Sequence, residues 1–154
     1  MISIWPIRNV VGFLLMLVGV MMLCCIPFSL YFEEQDTMPL LTAAGVTLFF
    51  GFLIRQFKPK TDQLAVKKRE GYLIVAFGWL AMVLFSALPY LFSGLFDNPV
   101  DAFFESISGM TTTGASIIED IEAMPKGILF WRSLTQWIGG MGIIVLTVAL
   151  FPLL

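Results

Sequence analysis

The 154-residue chain contains no histidine, and only 13% of its residues carry charge, against 58% that are hydrophobic. A soluble domain has about 25% charged and about 45–50% apolar residues. So thin a charge complement cannot cover a water-facing surface, which excludes the soluble classes and implies an integral membrane protein. The lack of histidine removes the commonest metal ligand and general base. Cysteine is nearly absent too. Cys24 and Cys25 are neighbours inside an uncharged run. Adjacent cysteines do not readily meet disulfide geometry, and no CxxC spacing for metal or redox work is present, so the pair reads as small apolar filler. No nucleophile–base pair and no phosphate-cradling loop appears. The chain therefore reads as not an enzyme, with no organic cofactor and no nucleic-acid partner.

Long apolar sequence, by contrast, is abundant. Val10 to Phe32 is 23 residues without a charge. That run is about 34 Å of helix, enough for a hydrocarbon core of about 30 Å. A signal peptide has an apolar region of about 7–15 residues followed by a small-residue cleavage site. This run is longer and ends in Tyr31-Phe32-Glu33-Glu34, so a retained span is expected, kinked near its end by Pro27. Met38 to Leu53 predicts a second span. Tyr72 to Phe92 predicts a third, with aromatic residues at both ends as membrane interfaces favour. Leu129 to Leu154 predicts a fourth, whose one charge is Arg132.

Charge sets the orientation. Residues 55–70 carry a net +4, Glu33, Glu34 and Asp36 give −3, and residues 93–126 carry a net −5. Basic loops stay in the cytoplasm. That places 55–70 and the N-terminus inside and the two acidic stretches outside. The basic stretch 55–69 also suits anionic membrane lipid or a regulatory partner, and the topology signal alone accounts for it equally well.

The connector 93–128 is not the polar loop that two opposed spans need. Val100, Ala102, Phe103, Phe104, Ile107 and Met110 recur at helical spacing. Asn98 suits the cap, Pro99 the first helical position and Asp101 the third. A helix over 99–110 would be about 18 Å long, roughly half a bilayer, which makes it a re-entrant element. It gives way to Thr111-Thr112-Thr113-Gly114-Ala115-Ser116. Non-helical backbone at membrane depth is tolerated only where protein buries it or where it lines a wet cavity. Carbonyl and hydroxyl oxygens at short intervals can replace the water around a cation. The preceding helix C-terminus adds partial negative charge, and an acidic mouth concentrates cations. The plainer alternative is an amphipathic surface helix followed by a polar turn.

Asp101-Ala102-Phe103-Phe104-Glu105 and Ser108-Gly109-Met110-Thr111-Thr112-Thr113-Gly114-Ala115 resemble the first pore loop of the TrkH/KtrB potassium-uptake superfamily. Trp131-Arg132-Ser133-Leu134-Thr135-Gln136-Trp137-Ile138-Gly139-Gly140-Met141-Gly142 is similar to the start of that family's following helix, and Lys67-Lys68-Arg69-Glu70-Gly71-Tyr72 to the approach to its first pore-module helix. Two spans ahead of the module fit the TrkH form rather than the shorter one. The resemblance implies an all-α polytopic membrane protein. Residues 1–57 would be a leading two-helix hairpin, 58–71 a basic cytoplasmic loop and 72–154 the first pore module. That module would comprise a span at 72–92, a pore helix at 99–110, a filter at 111–116 and a span at 129–154.

The resemblance also implies the function: potassium transport across the bacterial inner membrane, with K⁺ as the cargo. Thr111, Thr112 and Thr113 would supply potassium-binding oxygens and Gly114 would be the filter glycine. In plant relatives a serine at that glycine accompanies sodium transport, so Gly114 implies potassium. Family members surround one pore with four modules of a single chain, form homodimers and bind a TrkA-type nucleotide-binding cytoplasmic subunit. This sequence holds one module, so the remaining three must come from elsewhere. The expectation is an N-terminal piece of a longer protein that does not conduct alone, rather than four copies assembling. The alternatives are a non-transporting scaffold or accessory subunit, or a secondary transporter with a broken-helix site.

Three further residues support this site. Glu105 would lie about 9 Å along the short helix, where a carboxylate needs a partner or water. Arg132 is its candidate partner, the alternative being that Arg132 reaches the interface while Glu105 faces water. Gln136, one turn beyond Arg132, suits either a hydrogen bond to the 111–116 backbone or a helix–helix contact. Gly12, Gly19, Gly139, Gly140 and Gly142 read as close-packing positions.

Overall fold

The computed structural model describes residues 4–56 and 68–150, without side chains for Lys68 and 145–150. Among them every regular element is helical: α1 (Ile4–Leu23), α2 (Ile26–Tyr31), α3 (Thr37–Arg55), α4 (Lys68–Ser86), α5 (Leu88–Phe92), α6 (Pro99–Met110) and α7 (Lys126–Leu150). The stretches Ile4–Tyr31, Thr37–Arg55 and Arg69–Phe92 are long and apolar enough to cross a membrane. The 25 residues of α7 add about 37 Å of helix. Large apolar side chains such as Phe13, Phe49, Phe52, Phe77, Leu80 and Ile144 stand exposed on the outside, an arrangement suited to lipid and not to water.

Prolines divide two of the spanning stretches. Helix α1 ends before Cys24, and α2 restarts at Ile26 with Pro27 in its first turn. The same happens at Ala87, between α4 and α5, where Pro89 occupies the first turn. The span expected at 72–92 lies within Arg69–Phe92, and the break inside it adds to that expectation. Pro89 brings no amide to the ladder, and side chains from two other helices donate to carbonyls beside the break, although Val83 O also keeps the Ala87 amide at 3.3 Å. The Trp131 indole donates to Ser86 O at 3.1 Å, and the Ser106 hydroxyl donates to Val83 O at 2.7 Å. Thus α6 and α7 are both tied to the kink. Two helix starts also lie earlier than expected, at Lys68 and Lys126, so Lys68 to Gly71 are helical rather than loop. Charged first turns extend these helices past the apolar run. Residues 58–67 of the expected basic loop and 151–154 of the expected last span lie outside the described residues.

Small residues set the helix approaches. A Cβ at Gly12 would sit 2.9 Å from Gly51 O, and one at Gly19 would sit 2.7 Å from Leu48 Cγ. Helices α1 and α3 therefore run antiparallel at close range, and the Thr47 hydroxyl, which donates to Ala43 O at 2.7 Å, lies 3.7 Å from Met22 Sδ across the same seam. Gly78 lets α4 close on Leu14, and Gly142 faces Trp79. With Trp131 at Ser86, the Gly142–Trp79 contact makes α4 and α7 antiparallel. The core between the hairpin and the later helices is filled by Leu40, Met22, Val18, Tyr90, Met110, Ile128 and Trp131, all fully buried.

Replacing Gly19 by Val puts two methyls into the space of Leu48. A loss of about 1–3 kcal/mol is expected, read as a lower unfolding temperature in detergent, whereas Gly45→Ala, inside α3 with nothing within 4 Å of the added Cβ, does not lower it.

Candidate functional site

Helix α6 begins where local chemistry starts it. Asn98 is extended (φ −107°, ψ 122°) and its side chain accepts the Val100 amide at 3.1 Å, with Pro99 next and Asp101 in the first turn. The helix descends parallel to α7, since Glu105 meets Arg132, Gly109 packs against Thr135 and Met110 lies against Gly139. A Cβ at Gly139 would overlap the Met110 carbonyl group. The chain then turns back. The Thr113 amide donates to Ser108 O at 3.0 Å, the Ser108 hydroxyl donates to Ala115 O, and the Ser116 hydroxyl donates to Glu105. Residues 113–116 therefore climb beside the helix that has just descended, forming a hairpin of one short helix and one irregular strand.

The turn itself is a Schellman closure. The Thr112 amide donates to Gly109 O at 3.0 Å and the Thr113 amide to Ser108 O at 3.0 Å, the 5→2 and 6→1 bonds that end a helix through one left-handed residue. That residue is Thr112, with φ +55°. Glycine normally takes this place. A β-branched side chain there is strained by about 1–3 kcal/mol. Gly114 is the second left-handed position, φ +75°, and open space surrounds it.

The closure determines which oxygens stay free. Amides and hydroxyls claim the carbonyls of Ile107, Ser108 and Gly109. Among the described residues, no hydrogen bond ends on the carbonyls of Thr111, Thr112, Thr113 or Gly114, and Thr111 to Ala115 are exposed. The Thr111 hydroxyl donates to Ile107 O at 2.8 Å and lies 2.7 Å from the Thr113 hydroxyl. With its one proton on Ile107 O, Thr111 accepts from Thr113. The site is thus a short exposed row of acceptor oxygens at a helix C-terminus, with the local hydroxyl protons turned inward. Such a row suits a cation and repels an anion.

Glu105 anchors this row. Its carboxylate is 1% exposed and Arg132 is 13% exposed, with Nε 2.5 Å from Oε1. The Ser116 hydroxyl reaches both carboxylate oxygens, at 3.2 and 3.0 Å, while its oxygen accepts the Ile118 amide at 3.1 Å. One carboxylate thereby joins the descending helix, the returning strand and α7. Gln136 is half-buried on α7 and, among the described residues, makes no hydrogen bond to 111–116. Spacing alone assigned no anchoring role to Ser116 or Ser108 and gave no sign of strain at Thr112. The Ser–Gly–Met–Thr run marked a helix end, but only the return path brings Ser116 to Glu105.

Comparisons with known proteins agree with one another. A family model described as TrkH, cation transport protein, matches residues 42–154. The Trk system potassium uptake protein TrkH of Vibrio parahaemolyticus is 41% identical over 152 residues, covering 96% of this chain and 30% of that protein. The Escherichia coli protein of the same name is 50% identical over 93 residues, 58% of this chain. The crystal structure of the potassium transporter TrkH from Vibrio parahaemolyticus superposes with TM-score 0.89 at 38% identity, covering 98% of this chain and 32% of that one. The chain thus spans about a third of the length of these full-coverage relatives.

Glu105→Gln leaves the Arg132 guanidinium half-enclosed without its counter-charge, for which a loss of about 3 kcal/mol or more is expected. Chemical denaturation in detergent measures it. Adding Arg132→Gln recovers part of the loss, and strict additivity of the two changes would mean that the pair is not coupled.

Proposed function

The chain belongs to the TrkH family of cation transport proteins, and on that premise we propose that it forms the leading hairpin and first pore wall of a potassium-translocating subunit. The family is one of transporters, and catalysis has no part in this reading. The observation that carries it is the unclaimed row of carbonyls at Thr111, Thr112, Thr113 and Gly114, held open by two left-handed residues at a helix C-terminus. These four residues are the proposed potassium ligands. Glu105 and Arg132 fix the row, and Gln136 is proposed as a further support from α7. K⁺ is the cargo, and no organic cofactor is involved.

One such row covers one side of an ion, and its exposure suits three further walls from the rest of a longer chain. The proposed division is a hairpin over 1–57, a basic loop over 58–71 and a pore module over 72–154. The proposed partners are a second copy and a TrkA-type nucleotide-binding subunit on the cytoplasmic face, with membrane lipid around the exposed apolar helices. Orientation follows from where the charges gather. The acidic residues Glu34 and Asp36 meet the start of α7, whereas Arg55 lies beside Asn9 at the opposite end, Nε to Oδ1 at 3.3 Å. The positive-inside rule puts that second end, and the N-terminus, in the cytoplasm of the bacterial inner membrane.

Gly114→Ser in a full-length transporter carrying these residues adds a side chain where φ is +75°. Potassium-dependent growth rescue and ion-flux competition should report weaker preference for K⁺ over Na⁺, by roughly tenfold if one row misplaced costs about 1.4 kcal/mol. An unchanged preference would remove Gly114 from the ion path.

A further inference from the structure

Helix α7 begins with no cap of its own. Ala123, Met124 and Pro125 precede Lys126, and none is a capping residue, although the first amides of a helix lack intrahelical partners. Carboxylates from the α2–α3 link take them instead. The Lys126 amide donates to Glu34 Oε2, and the Ile128 amide donates to Asp36 Oδ2 at 2.9 Å. Negative charge is favoured at that end of a helix. Asp36 is 3% exposed and occupies the cap position of α3, yet its side chain makes no cap bond there. Its second oxygen accepts from the Ser29 hydroxyl of α2. Gly127 admits it: a Cβ there would lie 2.5 Å from Asp36 Oδ2. Phe28 stacks on Phe130 at 4.0 Å beside the same contact. One buried carboxylate therefore ties α2, α3 and α7 together.

Arg132 lies one helical turn beyond Ile128, so the grip on the first turn of α7 also sets the height of Arg132. We propose that Asp36, with Glu34 beside it, is a positioning residue for ion selection. By clamping the start of α7 it holds Arg132 in register with Glu105 and Ser116, and so holds the shape of the 111–116 turn. The leading hairpin thereby takes part in choosing the ion. This rests on the reading of Thr111 to Gly114 as potassium ligands.

The test uses a full-length transporter carrying these residues, in cells lacking other potassium uptake, with membrane abundance measured alongside flux. In Asp36→Ala the half-saturating K⁺ concentration is expected to rise roughly threefold to tenfold and K⁺ over Na⁺ preference to fall, while the maximum rate per molecule stays within about twofold. Asp36→Asn keeps an oxygen for the Ile128 amide and should restore most of both. Gly127→Ala attacks the contact from the other side without removing charge, and gives the same reading if Asp36→Ala fails to accumulate. In an Arg132→Gln background Asp36→Ala should add nothing further. Wild-type half-saturation and preference in Asp36→Ala and Gly127→Ala, with only abundance or maximum rate reduced, would overturn the proposal, as would full additivity with Arg132→Gln. Gly114→Ser in the same assay separates the two readings. Altered preference there with none in Asp36→Ala overturns the clamp alone. Unaltered preference in Gly114→Ser overturns the ligand assignment, and with it the route by which the clamp would act.

Discussion

A carboxylate that is 1% exposed in an apolar helix bundle must be fully compensated, because an isolated ion there costs several kcal/mol. Glu105 meets that demand with Arg132 and Ser116. Glu105 and its two partners lie in three different stretches of chain, so satisfying one charge fixes three positions at once. The descending helix α6 cannot slide along α7 without pulling Glu105 off Arg132. The returning strand cannot lift without withdrawing the Ser116 hydroxyl. The rest of the site takes its shape from this requirement.

Within that frame the backbone is strained where its oxygens are free. The Schellman closure at Thr112 and Thr113 uses up the carbonyls of Ser108 and Gly109 and forces a threonine into a left-handed conformation. A glycine would relieve that strain, but it would also give up a side chain whose methyl packs 3.7 Å from the position of a Cβ on Gly140. The surroundings hold the conformation in place, as strained residues at functional sites require. Thr111 to Gly114 then present four consecutive carbonyls with no donor among the described residues. An isolated domain in lipid could not sustain that state, and further protein or a bound cation would relieve it.

The leading hairpin enters through polar contacts as well as apolar packing. Its close glycine contacts between α1 and α3 make it a rigid unit, and its link supplies the carboxylates that α7 lacks. A hairpin packed only through apolar surface could shift along α7 with little penalty. One whose carboxylates hold individual amides cannot. The two parts of the chain therefore share one frame of reference at the acidic end of the bundle.

Several features were legible from residues alone, for local reasons. Apolar runs of spanning length and a charge asymmetry follow from transfer free energy, which is a property of composition. The short helix at 99–110 was legible because Asn98, Pro99 and Asp101 act within a single turn, and Pro27 marked its own kink. The break at Ala87 was not legible because the contacts that brace it, Trp131 on Ser86 O and Ser106 on Val83 O, come from helices far along the chain. Glu105 and Arg132 could be named as partners from their depth, but the same depth also allowed each to face water. Residue order was enough to assign segments to lipid, to bound the short helix and to put a run of acceptor oxygens after it. It took the packed helices to show that the run folds back along its own helix, that Ser116 shares the Glu105 carboxylate and that Asp36 caps a helix 92 residues away. Burial, hydrogen-bond satisfaction and close approach are relations between distant segments, which local spacing does not encode.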